Sequence, residues 1–214
     1  MGDTDGNREM SQDGKDITAP TAMPAGGWGI RGWLSAAFTA FKAALDSTTE
    51  AIKTIDYAHH EIHEGNHFKS GYQDTSMAAS DVINLLFVTP DTAVWGHWTL
   101  VGQSTGEAVI QVFEGTTVSG NGTAVARWNR NRNLAAVNES DILVFHTPTI
   151  TGDGTKMSEK WIGGTGFKAD VGGGTRGDSE YVLKQNTNYL VRLTAVGAGI
   201  KGAIGGDWYE HTSK

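Results

Sequence analysis

From residue 82 onward the chain is a succession of short apolar or alternating runs broken by Gly, Asn and Asp, and this punctuation restricts it to a β architecture. Residues 82–88 and 95–101 are brief apolar runs, and Ala108-Val109-Ile110-Gln111-Val112-Phe113-Glu114 has the β-branched, alternating character of a strand. The same pattern predicts strands at 124–128, 142–146, 156–162, 179–183, 189–195 and 203–210. Glycine supplies 29 of 214 residues and proline only 4, which suits many tight connections and excludes a collagen-like repeat. The expected fold is mainly β: an antiparallel β-sandwich or jelly-roll-like domain over residues 54–214. Alternate side chains would form its core, and its sheet edges would be available for pairing between subunits.

One near-repeat falls inside this region: Thr117-Val118-Ser119-Gly120-Asn121-Gly122-Thr123 and Thr149-Ile150-Thr151-Gly152-Asp153-Gly154-Thr155. Asn-Gly and Asp-Gly tolerate the positive φ of tight turns, so both segments read as hairpin ends. The ligand series of an EF-hand calcium loop is missing.

The formal charge of −7 gives no general attraction to nucleic acid or to an anionic membrane, and neither is expected as a partner. Without cysteine there is no disulfide and no thiol nucleophile, so stability must come from packing and association. Met1-Gly2-Asp3-Thr4-Asp5 lacks the basic start and apolar stretch of a secretory signal, and no apolar run reaches membrane-spanning length. The expectation is a soluble protein made in a cytoplasm.

Residues 1–27 are polar, acidic and rich in Gly, Asp and Thr, which predicts a flexible arm. In residues 28–53 the pattern changes. Trp33, Leu34, Ala37, Phe38, Phe41, Leu45 and Ile52 recur at spacings of three and four, the stripe of an amphipathic helix. Trp28, Trp33, Phe38 and Phe41 crowd this one segment. It reads either as a helix packed on its own sheet or as an assembly segment docking on symmetry mates or a partner.

Between that helix and the β region lie His59, His60, His63 and His67, four of the seven histidines. His63-Glu64-Gly65-Asn66-His67 satisfies the HExxH pattern, in which two imidazoles one helical turn apart bind zinc and the glutamate acts as general base. That chemistry needs an unbroken helix, and Gly65 and Asn66 both disfavour one. Positions 70 and 73 are Ser and Gln, so no third ligand follows at the extended spacing. A milder metal reading places His59, His63 and His67 on one face, where copies around a symmetry axis would hold a divalent ion. Outweighing it is the reading that these imidazoles bond to turn backbone and to Asp56, Glu61 and Glu64. No cofactor is expected.

Arg127-Trp128-Asn129-Arg130-Asn131-Arg132-Asn133 mixes cations, an indole and amides. Arg127, Trp128, Arg130 and Arg132 would suit an anion, a sugar or single-stranded nucleic acid, although a solvated loop or salt-bridged subunit contact outweighs that in an acidic protein. The glycine stretches at 163–166 and 172–177 lack the Walker lysine and a following helical pattern. GxSxG is absent, and the expectation is that the protein is not an enzyme.

Thr54-Ile55-Asp56-Tyr57-Ala58-His59-His60-Glu61-Ile62-His63-Glu64-Gly65-Asn66-His67-Phe68 resembles the opening of a family of tailed-bacteriophage virion proteins, whose "IDYxHHEIHxGxHF" signature precedes a β-rich domain. Phe113-Glu114-Gly115, Asn129 to Asn133, Thr149 to Thr155, Tyr181 to Leu190 and Trp208-Tyr209-Glu210-His211 look similar too, so the resemblance spans residues 54–211. It implies a structural component of the virion, often a decoration or cement protein on the capsid surface, made in the host bacterial cytoplasm. The implied partners are the major capsid protein and neighbouring copies of the chain, with a homotrimer expected. The assembly contacts would come from Trp28, Trp33, Phe38, Phe41, Tyr57, His59, His60 and His63. The other class of function left open is a tail or fibre host-binding module that touches glycans.

Overall fold

The computed structural model describes residues 56–134, 136, 138–164 and 179–212, and the chain divides into two units between Thr54 and Ile55. The arm expected at 1–27, the helix expected at 28–53 with Trp28, Trp33, Phe38 and Phe41, and residues 172–177 lie outside the described residues.

In the strand running Ile200–His211, the side chains of Ile200, Ile204, Trp208 and Glu210 are buried on one face, with Gly202 and Gly206 between them. This strand, β13, lies at the centre of a five-stranded sheet in the order β11-β3-β13-β1-β7. It pairs with β1 (His67–Met77) and β3 (Trp95–Ser104), and β7 (Trp128–Asn129) and β11 (Glu180–Val182) form the two edges. A six-stranded sheet, β10-β4-β12-β2-β8-β6, is built from β2 (Val82–Val88), β4 (Ala108–Glu114), β6 (Thr123–Ala124), β8 (Leu143–His146), β10 (Thr155–Ile162) and β12 (Asn188–Ala195). A two-stranded ribbon pairs β5 (Thr117–Gly120) with β9 (Thr149–Gly152). Among the described residues one helix, α1 (Tyr57–Glu64), precedes β1. The described unit is thus mainly β, with antiparallel sheets packed as a sandwich.

Aromatic side chains fill the space between the sheets. Phe87 of the six-stranded sheet meets Trp98 and Trp208 of the other edge-to-face, at ring separations of 5.4 and 5.9 Å. Such pairs add to the hydrophobic gain from burying the rings. Glycine in β13 creates the room: a Cβ on Gly206 would lie 2.1 Å from the Trp98 indole nitrogen and 2.9 Å from the Phe87 ring.

The pairing departs from the hairpin expectation. Among the described residues no strand pairs with its immediate neighbour in sequence; the chain instead passes from one sheet to the other at most connections. The near-repeat segments do not close two hairpins. They pair with each other as β5 and β9, while Gly122 and Gly154 carry the expected positive φ, at 90° and 83°. The strand expected at 124–128 is split between β6 and β7, which belong to different sheets, because the chain changes layers there. β1 was hidden by its polar composition, HFKSGYQDTSM, of which one face is solvent-exposed.

Two charged clusters tie the six-stranded sheet to its loops. The Arg192 guanidinium donates to both Asp153 carboxylate oxygens at 2.9 and 2.6 Å and stands 5.1 Å above the Phe113 ring. The Tyr189 hydroxyl donates to Glu114 and accepts the Lys184 backbone N–H, and the Lys184 ammonium also reaches Glu114. Arg192 holds the Asp153 carboxyl below its ordinary value, and Lys184 does the same for Glu114, in both cases against the opposing effect of burial. Burial, with the nearby Glu114 carboxylate, pushes Tyr189 up to about 12.

These shifts have opposite consequences at the two ends of the pH scale. The carboxyls bind protons less readily folded than unfolded, so their stabilisation is complete above the unfolded carboxylate value of about 4 and is lost as pH falls through the depressed folded values. The Tyr189 contribution is complete below the unfolded phenol value of about 10 and disappears as pH rises toward 12. Thermal melts should show a flat plateau near neutrality with both flanks falling. Asp153→Asn should flatten the acid flank and Tyr189→Phe the alkaline one.

Candidate functional site

The histidine stretch folds as a capped helix followed by a turn. The Asp56 side chain accepts the His59 backbone N–H at 3.2 Å, which satisfies one of the free donors at the start of α1. At the other end Gly65 takes the left-handed conformation, with φ 79°, and its N–H and that of Asn66 bond back to Ile62 and Glu61. A Cβ at Gly65 would also fall 2.2 Å from a Leu134 methyl, so a larger residue would have to displace that side chain as well as adopt the left-handed backbone.

This turn overturns the HExxH geometry. α1 ends at Glu64, and His67 already belongs to β1, so His63 and His67 are not one helical turn apart. His67 is 1% exposed, with Nε2 2.6 Å from Asp207 Oδ1 and Nδ1 3.2 Å from the Ala58 carbonyl oxygen. The shared face expected for His59, His63 and His67 is corrected for the same reason: the left-handed residue redirects the chain before His67. The structure does bring His59 and His63 together, with their Nε2 atoms 3.1 Å apart. Tyr57, His59, His60 and His63 all stand exposed on α1, and Tyr57 packs edge-to-face on Tyr209 and His211.

Beside this helix the outer face of the five-stranded sheet carries a polar cluster. His97 Nδ1 lies 2.6 Å from Glu180 Oε1, the Tyr209 hydroxyl donates to the same oxygen at 3.0 Å, and His97 Nε2 lies 2.9 Å from His211 Nε2. The His97 ring stacks on Tyr209 at 4.6 Å. Glu180, as acceptor, orients His97 with its proton on Nδ1, leaving Nε2 to accept from His211. Sequence reasoning missed this cluster, because its members are separated by 83 and 114 residues and meet only through strand register. The signal available was the placing of His97, Glu180 and Tyr209 within expected strands.

Further along the same face is a groove of about 390 Å³. Gly71 faces Gly205 across the β1–β13 ladder, so the floor has no side chains there. Lys69, Gln73, Val101, Gln103 and Trp128 stand around it. Of the expected surface-ligand residues, Trp128 is the one at this rim, 54% exposed, with the Arg132 guanidinium 5.7 Å from its ring. Arg127 is used otherwise: it donates to the Ser140 and Ile142 carbonyl oxygens and anchors the segment leading into β8. Arg130 pairs with Asp207 at 3.3 Å, next to His67. Trp128 and Arg132 therefore stand together, whereas Arg127 and Arg130 are engaged by other partners.

The chain matches no protein-family model, no curated protein and no solved structure.

Among the described residues no group of three or more His, Cys, Asp or Glu side chains is placed to hold a metal ion, and no helix is long and apolar enough to cross a membrane. Pairs of imidazoles, exposed aromatics and a glycine-floored groove are what this surface offers. They suit contact and ligation.

Proposed function

We propose that the chain is a structural component of a tailed-phage virion: a head decoration protein, acting as a homotrimer, that binds and stabilises the lattice of the major capsid protein. The resemblance over residues 54–211 supports this reading, and the observation that carries it is the use the fold makes of the signature residues. Asp56 caps α1, Gly65 ends it, His67 bonds to Asp207 and Phe68 enters the core. The stretch thus builds a clasp that fastens the start of this unit to β1 and β13. Each subunit contact would stabilise the shell by binding assembled lattice more tightly than free subunits. Purified particles test this: the protein should copurify with DNA-filled heads at a copy number set by lattice symmetry, and its recovery only with detached tails would reject the head assignment.

One observation favours a second reading, a glycan-binding module. An exposed indole beside a side-chain-free floor, with Lys69, Gln73 and Gln103 around it, can stack a sugar ring and bond its hydroxyls. Saccharide binding by the purified chain, lost in Trp128→Ala, would put this reading first.

A further inference from the structure

We propose that His59 and His63 form a bidentate site for a divalent transition-metal ion of the zinc or copper type. The two residues are four apart on α1, whose ends are held by the Asp56 cap and the Gly65 turn, so their Cα positions are fixed by local structure. Their Nε2 atoms face each other at 3.1 Å, with ring centroids 4.9 Å apart and planes inclined by 59°. An ion bound at the usual ~2.05 Å from each nitrogen would subtend an angle of about 98° at that 3.1 Å separation. This lies between the right angle of square or octahedral geometry and the tetrahedral angle, both of which these ions accept. Both rings are exposed, so little rearrangement and little desolvation of the protein stand in the way.

His67 does not join, because Asp207 and the Ala58 carbonyl occupy its two nitrogens. Two protein ligands leave the remaining positions of the ion to water or to a donor from another molecule. The second imidazole pair, His97 and His211, is a poorer chelate despite its 2.9 Å separation. A neutral imidazole that ligates through Nε2 carries its proton on Nδ1, and His211 Nδ1 is buried without a hydrogen-bond partner. For that pair the arrangement is a hydrogen bond.

The inference is independent of the virion reading. It is tested by titrating the untagged full-length chain with Zn²⁺, and separately with Cu²⁺, by calorimetry, with copper paramagnetic resonance to count bound nitrogens. One ion per chain with two nitrogen ligands is expected. His59→Ala, His63→Ala and the more conservative His63→Gln should each weaken binding by at least about tenfold, the lower bound for losing even an outer-shell partner. His60→Ala should bind as the parent does, since His60 faces Glu61 and Glu64. All three positions are exposed, so far-UV spectra and melting temperature without metal should stay near the parent's. Absence of binding, retention of it in the His59 and His63 variants, or equal loss in His60→Ala would each overturn the assignment.

Discussion

Glu210→Ala is expected to lower the free energy of unfolding by about 3–5 kcal/mol, because several buried donors lose the one acceptor they share. The Glu210 carboxylate is 8% exposed and accepts from the Ser140 hydroxyl, the backbone N–H groups of Asp141 and Ile142, and the Trp208 indole N–H. Removing it leaves these donors facing a void, each with a desolvation cost of about 1–3 kcal/mol that water entering the void offsets only in part. The carboxylate ties the end of β13 to the segment leading into β8, and so links the two sheets. Glu210→Gln should also be destabilising, because one acceptor oxygen is replaced by an amine that has only donors to meet. Urea unfolding monitored by tryptophan fluorescence gives the readout. Glu64→Ala, at an exposed position, should stay within about 0.5 kcal/mol of the parent. Equal midpoints for the Glu210 and Glu64 variants would mean that the network contributes nothing measurable.

The second large effect concerns assembly. On the proposed virion role, deleting residues 1–53 should leave the β unit folded, with an unchanged melting temperature, while attachment to phage particles falls at least tenfold, which corresponds to about 1.4 kcal/mol. The unit boundary lies between Thr54 and Ile55, and among the described residues α1 is fastened to the sandwich by Tyr57 on Tyr209 and by the Ala58 carbonyl on His67. The deletion removes Trp28, Trp33, Phe38 and Phe41, the aromatic residues with the pattern of a docking helix. Sedimentation of purified particles with added protein measures the attachment. If it is unchanged, the interface belongs on the sandwich itself, where Trp128, Trp161 and Val182 are among the exposed large apolar side chains.

Much of the secondary structure is legible along the chain. The β2 and β4 ranges coincide with their expected runs, and β10, β11, β12 and β13 differ from expectation only at their ends. Apart from β10, these strands carry apolar residues on at least one face, and a period of two is a local property. The failures are where the local signal is polar. β1 exposes Lys69, Gly71 and Gln73 on one side, so it reads as a loop until β13 is seen beside it. At the histidine stretch, Gly65 and Asn66 already argue against a zinc helix, and the left-handed turn at Gly65 is the physical form of that argument. The Arg127–Arg132 run, by contrast, gives no local hint that Arg127 turns inward to the Ser140 and Ile142 carbonyls.

Strand character, the position of turns and the helix-stopping role of Gly65 were determined by the sequence itself, because alternation and φ preference act within a few residues. Pairing was decided by tertiary structure. β3, β13 and β1 become neighbours only when the two sheets close over Phe87, Trp98 and Trp208, and that closure brings Glu180, His97 and His211 together. Many strands of similar apolarity could pair locally. Filling one shared core, with Gly206 leaving space for the Trp98 indole, selects the long-range register, and no short stretch of sequence contains that constraint.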